Sequence, residues 1–243
     1  MRLRSAALCL GLSLALPAVA APPALHEAAY QDTASMLARL APDADPRVIA
    51  LALQARDCAA SALAQPAAPR LAVIDYSRPS TEPRLWVFDL AGNTLLFHEV
   101  VAHGQGSGEN LARAFSNRDG SHQSSLGLFR TAGTYQGGNG YSLRMEGLEP
   151  GTNDAAMARA IVMHGAPYVN PDTARKQGRL GRSWGCPALR PQVARQVIDS
   201  LKNGQMIFAY YPDTQWLAKS PFIHCKDGVV AGASAASRDL AAK

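Results

Sequence analysis

The sequence is short of most features that announce an enzyme class. Its six histidines are scattered, with no His-x-x-x-His, His-Glu-x-x-His or Cys-x-x-Cys spacing. A zinc peptidase is therefore disfavoured, and no cofactor is implied. The Gly-rich stretch Val101-Ala102-His103-Gly104-Gln105-Gly106-Ser107-Gly108 lacks both the spacing and the Lys-Ser/Thr ending of a phosphate-binding loop. Charge of one sign is scarce too. The net balance of +5 falls to about +3 once Arg2 and Arg4 are discounted as part of a leader. That excess is too weak and too dispersed for a nucleic-acid footprint, so no nucleic-acid partner is expected. No internal repeat occurs, and after residue 20 no apolar run approaches the length of a membrane span.

What is present starts with an export signal over residues 1–20. Arg2 and Arg4 give a positive start, Ala6 to Leu16 an apolar stretch, and Ala18-Val19-Ala20 a small-residue cleavage site. Cys9 follows Leu8 rather than a small residue, which argues against lipid attachment, and it leaves with the signal. The mature chain then holds Cys58, Cys186 and Cys225. An odd number in an oxidising compartment suggests one pair and one free thiol. The expected pair is Cys58 with Cys225, leaving Cys186 reactive. Such a bridge closes about 165 residues, an entropic effect of about 5 kcal/mol in the chain-entropy treatment.

Residues 21–65 read as an Ala-rich helical segment. Ala29, Thr33, Met36, Leu37 and Leu40 share one face of a first helix. Asp45-Pro46 opens a second, with Asp at the cap and Pro at the first helical position. Its apolar stripe is Val48, Leu51, Ala52, Ala55, Cys58 and Ala59, a face that must be buried against something. From residue 70 the pattern changes to strands, expected at 71–76, 84–90, 95–102, 126–131, 141–146, 160–164 and 206–211. Two helices interrupt them, a short one near 154–159 and another over 191–202. The fold class is mainly β with a few helices. The β-dominated domain over 70–212, about 140 residues, is large enough for its own core. Residues 213–243 form an extension, and its Ala, Ser and Gly content predicts disorder after about 226.

The chemistry concentrates in Gly181-Arg182-Ser183-Trp184-Gly185-Cys186-Pro187. A free cysteine near its ordinary pKa of about 8.5 is only a few per cent thiolate at neutral pH. A charged imidazole beside it, lowering that pKa by roughly two units, makes thiolate the dominant form. His164, 22 residues earlier at the end of the apolar run Ile161-Val162-Met163, is the histidine in range. Gly165 after it lets a substrate or backbone come close, and Gly185 permits a tight turn before Cys186. Papain-type and cell-wall amidase-type Cys-His peptidases place Cys before His in the chain; here the order is reversed.

His164-Gly165 followed by Ser183-Trp184-Gly185-Cys186 resembles the signature of the L,D-transpeptidase catalytic domain, the YkuD-like fold. That family has a His-Gly strand before a Ser-His-Gly-Cys loop at about this distance. The likeness extends more weakly from Leu71 to Tyr211. It implies a β-sandwich-type sheet domain in which a cysteine attacks the L-centre carbonyl of a peptidoglycan stem tetrapeptide. Terminal D-alanine leaves, and the acyl thioester passes to a diaminopimelate amine. Such enzymes work in the periplasm or cell wall of a bacterium and are acylated by carbapenems.

Two departures stand out. Trp184 replaces the usual His, and Pro187-Ala188-Leu189 replaces an apolar residue followed by Arg, so the form resembles a divergent Gly-Arg-Ser-x-Gly-Cys-Pro-Ala branch. Arg182 then stands either for the missing cation, as a bidentate carboxylate partner, or for a solvated loop charge. On this reading Cys186 is the nucleophile and His164 the base. The Gly165 carbonyl or Ser183 orients the imidazole, and the Gly185 and Cys186 amides face the oxyanion. His103 either lines the cleft or caps its loop. Tyr135 and Tyr141 stack on substrate or pack their own hairpin, and Arg144 is a solvent-facing strand position. Rival readings are hydrolysis by the same site as a carboxypeptidase or endopeptidase, a catalytically silent wall-binding module, and a redox protein cycling Cys186 with Cys225.

Overall fold

The change of periodicity at residue 70 marks a change of architecture. The computed structural model describes residues 23–225; the expected leader and the tail expected to be disordered after 226 lie outside the described residues. Helix α1, Pro23–Leu40, packs on α2, Pro46–Ala62. Asp45 caps α2 by accepting from the Arg47 amide, with Pro46 in the first turn. The buried stripe of α2 includes Val48, Ala52, Ala55, Cys58 and Ala59. On α1 the buried face differs from the expected one. Ala34 and Leu37 are buried, followed by Ala41, whereas Ala29 is exposed and Leu40 is 43% exposed. The small side chains, spaced by three and four, are the ones that admit a neighbouring helix.

Both helices join the sheet in one apolar core with Leu71, Ile74, Phe129 and Phe208. A disulfide between Cys58 and Cys225, 167 residues apart, fastens α2 to the end of the described chain. No helix among the described residues is long and apolar enough to cross a membrane.

The sheet has eight strands: β1 Arg70–Asp75, β2 Leu85–Asp89, β3 Thr94–Glu99, β4 Gly127–Gly137, β5 Gly140–Gly147, β6 Val162–Gly165, β7 Ala188–Leu189 and β8 Met206–Tyr210. Their order is β3-β2-β1-β8-β4-β5-β6-β7, with β1/β8 and β6/β7 parallel and the rest antiparallel. The protein is mainly β, as expected from its sequence.

Two local readings are corrected. No helix forms at 154–159; the chain runs through hydrogen-bonded turns there. The Asn153 amide donates to the Leu126 and Leu128 carbonyls while its oxygen accepts from the Glu149 amide, holding that corner against helical winding. Conversely α3, Pro171–Gln177, forms outside the two helices expected among the strands. Asn170 accepts from the Asp172 and Thr173 amides, Pro171 starts the helix, and Gly178 at φ +75° ends it. Beyond α4, Pro191–Leu201, the presumed extension begins with α5, Thr214–Lys219, capped by Asp213.

Helix α4 lies on β6, with Ala194, Val197 and Ile198 buried. A side chain at Gly165 would meet the Ala194 Cβ at 2.9 Å. The parallel β6/β7 pairing sets His164 opposite Ala188. Two residues earlier on each strand, the same register brings Cys186 alongside Val162.

Candidate active site

Each reactive side chain sits where a strand end meets a tight loop. The Val162 amide donates to Cys186 Sγ at 3.4 Å, and the thiol points at the Ala160 carbonyl at 3.7 Å. Cys186 is the free cysteine among the described residues and is 8% exposed. Ser183 ties the loop, accepting from the Gly185 amide at 3.1 Å and donating to the Cys186 carbonyl at 2.6 Å. Gly185, at φ +120°, is confined: an added Cβ would come within 2.8 Å of the Gln123 carbonyl. Ser124 Oγ donates to the Gly185 carbonyl from that same side.

His164 is 4% exposed, and its Nδ1 lies 3.1 Å from the Gly165 carbonyl. A carbonyl can only accept, so Nδ1 carries the proton and Nε2 keeps its lone pair. Of the two candidates for orienting the ring, the Gly165 carbonyl holds it, whereas Ser183 is occupied within the loop.

The expected thiolate–imidazolium pair does not form. No hydrogen bond joins the two side chains among the described residues. Burial lowers the His164 pKa and raises that of Cys186, against smaller opposing effects of the Val162 amide and the Arg159 charge. Desolvation disfavours the charged form of each group.

The sequence profile of the L,D-transpeptidase catalytic domain matches residues 40–210. The chain belongs to that family. The solved L,D-transpeptidase from Mycobacterium smegmatis is 16% identical, at a TM-score of 0.37, with 59% of each chain covered. That from Stackebrandtia nassauensis is 14% identical at a TM-score of 0.37, covering 75% of this chain and 90% of its own. The L,D-transpeptidase LdtMt1, solved in complex with imipenem, is 15% identical at 0.37, with 59% of each chain covered. Family membership rests on the profile match, not on these low-scoring superpositions. No curated protein matches the sequence.

Around Cys186 and His164 several expected residues hold other positions. The Gly185 amide, expected at the oxyanion, is engaged by Ser183, which leaves the Cys186 amide as the open donor of the two. His103 is 0% exposed: Arg84 donates to its Nδ1 at 2.7 Å, and its Nε2 donates to the Gly108 carbonyl at 3.3 Å. Burial and the Arg84 charge lower its pKa to about 4, so it props the loop instead of lining the cleft. Arg182 Nη1 is held by Glu109 at 2.8 Å and the Gly108 carbonyl at 2.9 Å, which is the loop-charge alternative. Gly165 faces α4 and not a substrate.

The aromatic residues divide. Tyr141 lies on the α4 face, its hydroxyl donating to Asp199 at 2.7 Å under the Arg195 guanidinium. Tyr135 pairs with Ser142, which pairs with His164, so it shares the His164 face two strands away. Arg144 is half-buried over the Tyr135 ring at 4.2 Å, not solvated on the strand. Trp184 is 71% exposed and stacks on His122 with centroids 5.0 Å apart.

Sequence reasoning missed Tyr168 and Arg159. Tyr168, 37% exposed and three residues past Gly165, stands close enough for burial and the Cys186 charge to push its pKa up to about 12. Arg159 lay inside a segment read as helix. No group of three His, Cys, Asp or Glu side chains among the described residues is placed to hold a metal ion. A cavity of about 420 Å³ lies between Phe115, Pro150 and Trp216, and neither Cys186 nor His164 lines it.

Proposed function

We propose that the protein is an exported L,D-transpeptidase acting on peptidoglycan stem tetrapeptides through a Cys186 thioester. The observation that carries this reading is the wiring of His164. With Nδ1 donating to Gly165, the free lone pair is on Nε2, on the strand that runs beside the loop bearing the free thiol. In the first half-reaction Nε2 takes the thiol proton as Sγ attacks the L-centre carbonyl. The Cys186 amide donates to the developing oxyanion. Collapse returns the proton to the departing D-alanine amine and leaves the thioester. In the second half-reaction Nε2 takes a proton from an incoming diaminopimelate amine, and the thiol is regenerated. Tyr168 and Trp184 line the approach. Carbapenem acylation of Cys186 belongs to the same proposal, since a strained acyl donor needs the same thiol and base.

The deciding experiment is intact-protein mass spectrometry of residues 21–243 with a defined disaccharide-tetrapeptide, beside the Cys186→Ala variant. A thioester adduct with D-alanine release and dimeric product supports transfer. Release without dimers replaces it with hydrolysis. Neither adduct nor release overturns the enzyme reading in favour of a silent wall-binding module.

A further inference from the structure

A guanidinium hydrogen-bonded to no carboxylate sits beside Gly185, the residue before Cys186. Arg159 donates from Nη1 to the Ser116 carbonyl and Ser125 Oγ, both at 2.7 Å. Its Nη2 donates to the Gln123 carbonyl at 2.7 Å and to Ser121 Oγ at 3.3 Å. All four acceptors are neutral, so the positive charge is fixed in place but not neutralised. Half-buried charge of that kind is costly unless an anion forms nearby.

The place where it is fixed matters. Arg159 precedes Ala160, whose carbonyl faces Cys186 Sγ at 3.7 Å. Its Nη2 is 3.5 Å from the position of a Cβ on Gly185, the residue before Cys186. The backbone that aims both groups is strained: Ala160 is a non-glycine at φ +53°, a conformation that persists only where its surroundings enforce it.

We propose that Arg159 is a positioning residue for Cys186, a locked guanidinium that holds negative charge on Sγ once the thiol proton has gone. The titratable groups that feel the Cys186 charge are Tyr168, Tyr76 and Arg159, and His164 lies on the neighbouring strand β6. Burial raises the pKa of both tyrosines and lowers that of His164, which disfavours the charged form of each, whereas a guanidinium keeps its charge. On its other side Arg159 feels the exposed Asp119 carboxylate. The inference rests on Cys186 being the nucleophile but not on the identity of the substrate.

The test is the pH dependence of Cys186 alkylation by iodoacetamide, followed by intact mass, in wild type, Arg159→Gln and Arg159→Lys. Loss of the charge is expected to move the midpoint up by about one pH unit and slow alkylation at pH 7 about tenfold. Lysine restores most of that shift although it cannot make the same four hydrogen bonds. A folded Arg159→Gln protein with the wild-type midpoint overturns the proposal. Should Arg159→Gln not fold, Arg159→Lys decides: a midpoint displaced as far as about one unit with the charge retained makes the residue merely structural, and a retained midpoint supports the charge role. The readout needs no substrate. A wild-type thioester with an unshifted variant midpoint sinks this inference alone, whereas a shifted midpoint with no thioester from any stem peptide sinks the transpeptidase reading alone.

Discussion

Two His-Gly segments in this protein are nearly the same in sequence and opposite in chemistry. Val101-Ala102-His103-Gly104 and Val162-Met163-His164-Gly165 both run from apolar residues into His-Gly, and both histidines are buried. What separates them is the partner at Nδ1. At His103 it is the fully buried Arg84 guanidinium, which forces Nδ1 to accept and aims Nε2–H at the Gly108 carbonyl. At His164 it is the next residue's own carbonyl, which forces Nδ1 to donate and leaves Nε2 bare. A buried imidazole with both nitrogens engaged is a strut; one with a single nitrogen engaged can be a base.

The largest expected effect breaks the second of these sites. His164→Ala removes the proton acceptor and should slow thioester formation about 10³-fold, within the usual range for a general base. Its melting temperature should change less than that of the next variant, since it gives up one hydrogen bond to an adjacent carbonyl. Stopped-time intact mass gives the rate. A loss under about tenfold makes another group the base.

His103→Ala inverts the pattern. It takes one hydrogen bond from the buried Arg84 guanidinium, which keeps the Val101 and Arg78 carbonyls, and one from the Gly108 carbonyl, which keeps Arg182, a loss of about 2 kcal/mol in stability. The rate per folded molecule should be kept below the melting transition. Denaturant unfolding separates the two quantities. The same residue sets a pH signature. Its folded pKa of about 4 lies below the ordinary 6.5. Between those values the unfolded chain binds a proton that the folded chain refuses. Stability therefore falls as pH drops from about 6.5 to about 4, by about 3 kcal/mol, and stops falling for this reason below that. His164 adds to the loss, while Asp75 and Glu149, raised by burial, oppose it. The wild-type minus His103→Ala difference isolates the His103 share, and a pH-independent difference would mean that folding leaves the His103 pKa at its ordinary value.

The comparison also marks what a sequence can convey. β-branched, aromatic and leucine-rich runs and the Asp45-Pro46 cap are local, so the helical segment and the change to strands at residue 70 were legible. The β6/β7 register that brings Cys186 to Val162 was not, because β7 is two residues long and carries no period. Arg84 lies nineteen positions from His103, and Glu109 lies seventy-three from Arg182. Nothing local in either segment announces such a partner. Asn153 defeated the helix expected at 154–159 through side-chain bonds to Leu126 and Leu128, again across the sheet. The Asn170-Pro171 start of α3 is a local capping signal.

A smaller effect tests how the loop carries the thiol. Ser183→Ala frees the Gly185 amide and leaves the Cys186 carbonyl without its donor. The expected loss is about 1 kcal/mol in stability, the ordinary worth of a buried hydrogen bond. Thioester formation should slow by about tenfold as Sγ loses its fixed approach. If instead the rate rises, the freed Gly185 amide is serving the oxyanion, and Ser183 restrains the wild-type site.

The smallest expected effect is the one that separates two arginines. Arg182 is bound to Glu109, whose side chain is 72% exposed and is shared with Arg179. An ion pair that open to water contributes less than about 1 kcal/mol, so Arg182→Ala should leave melting nearly unchanged. If the guanidinium stays with Glu109 during turnover, KM for the stem peptide moves less than threefold, roughly 0.6 kcal/mol of binding. A tenfold rise in KM with kcat held has a different meaning. It requires Arg182 to leave Glu109 and take the donor carboxylate, a swing that a surface pair permits because so little holds it. Arg159 has no such freedom, with four acceptors around it. One cation near the loop is therefore placed to follow a substrate and the other to hold a sulfur, and measuring KM and kcat separately in Arg182→Ala tells whether the first ever moves.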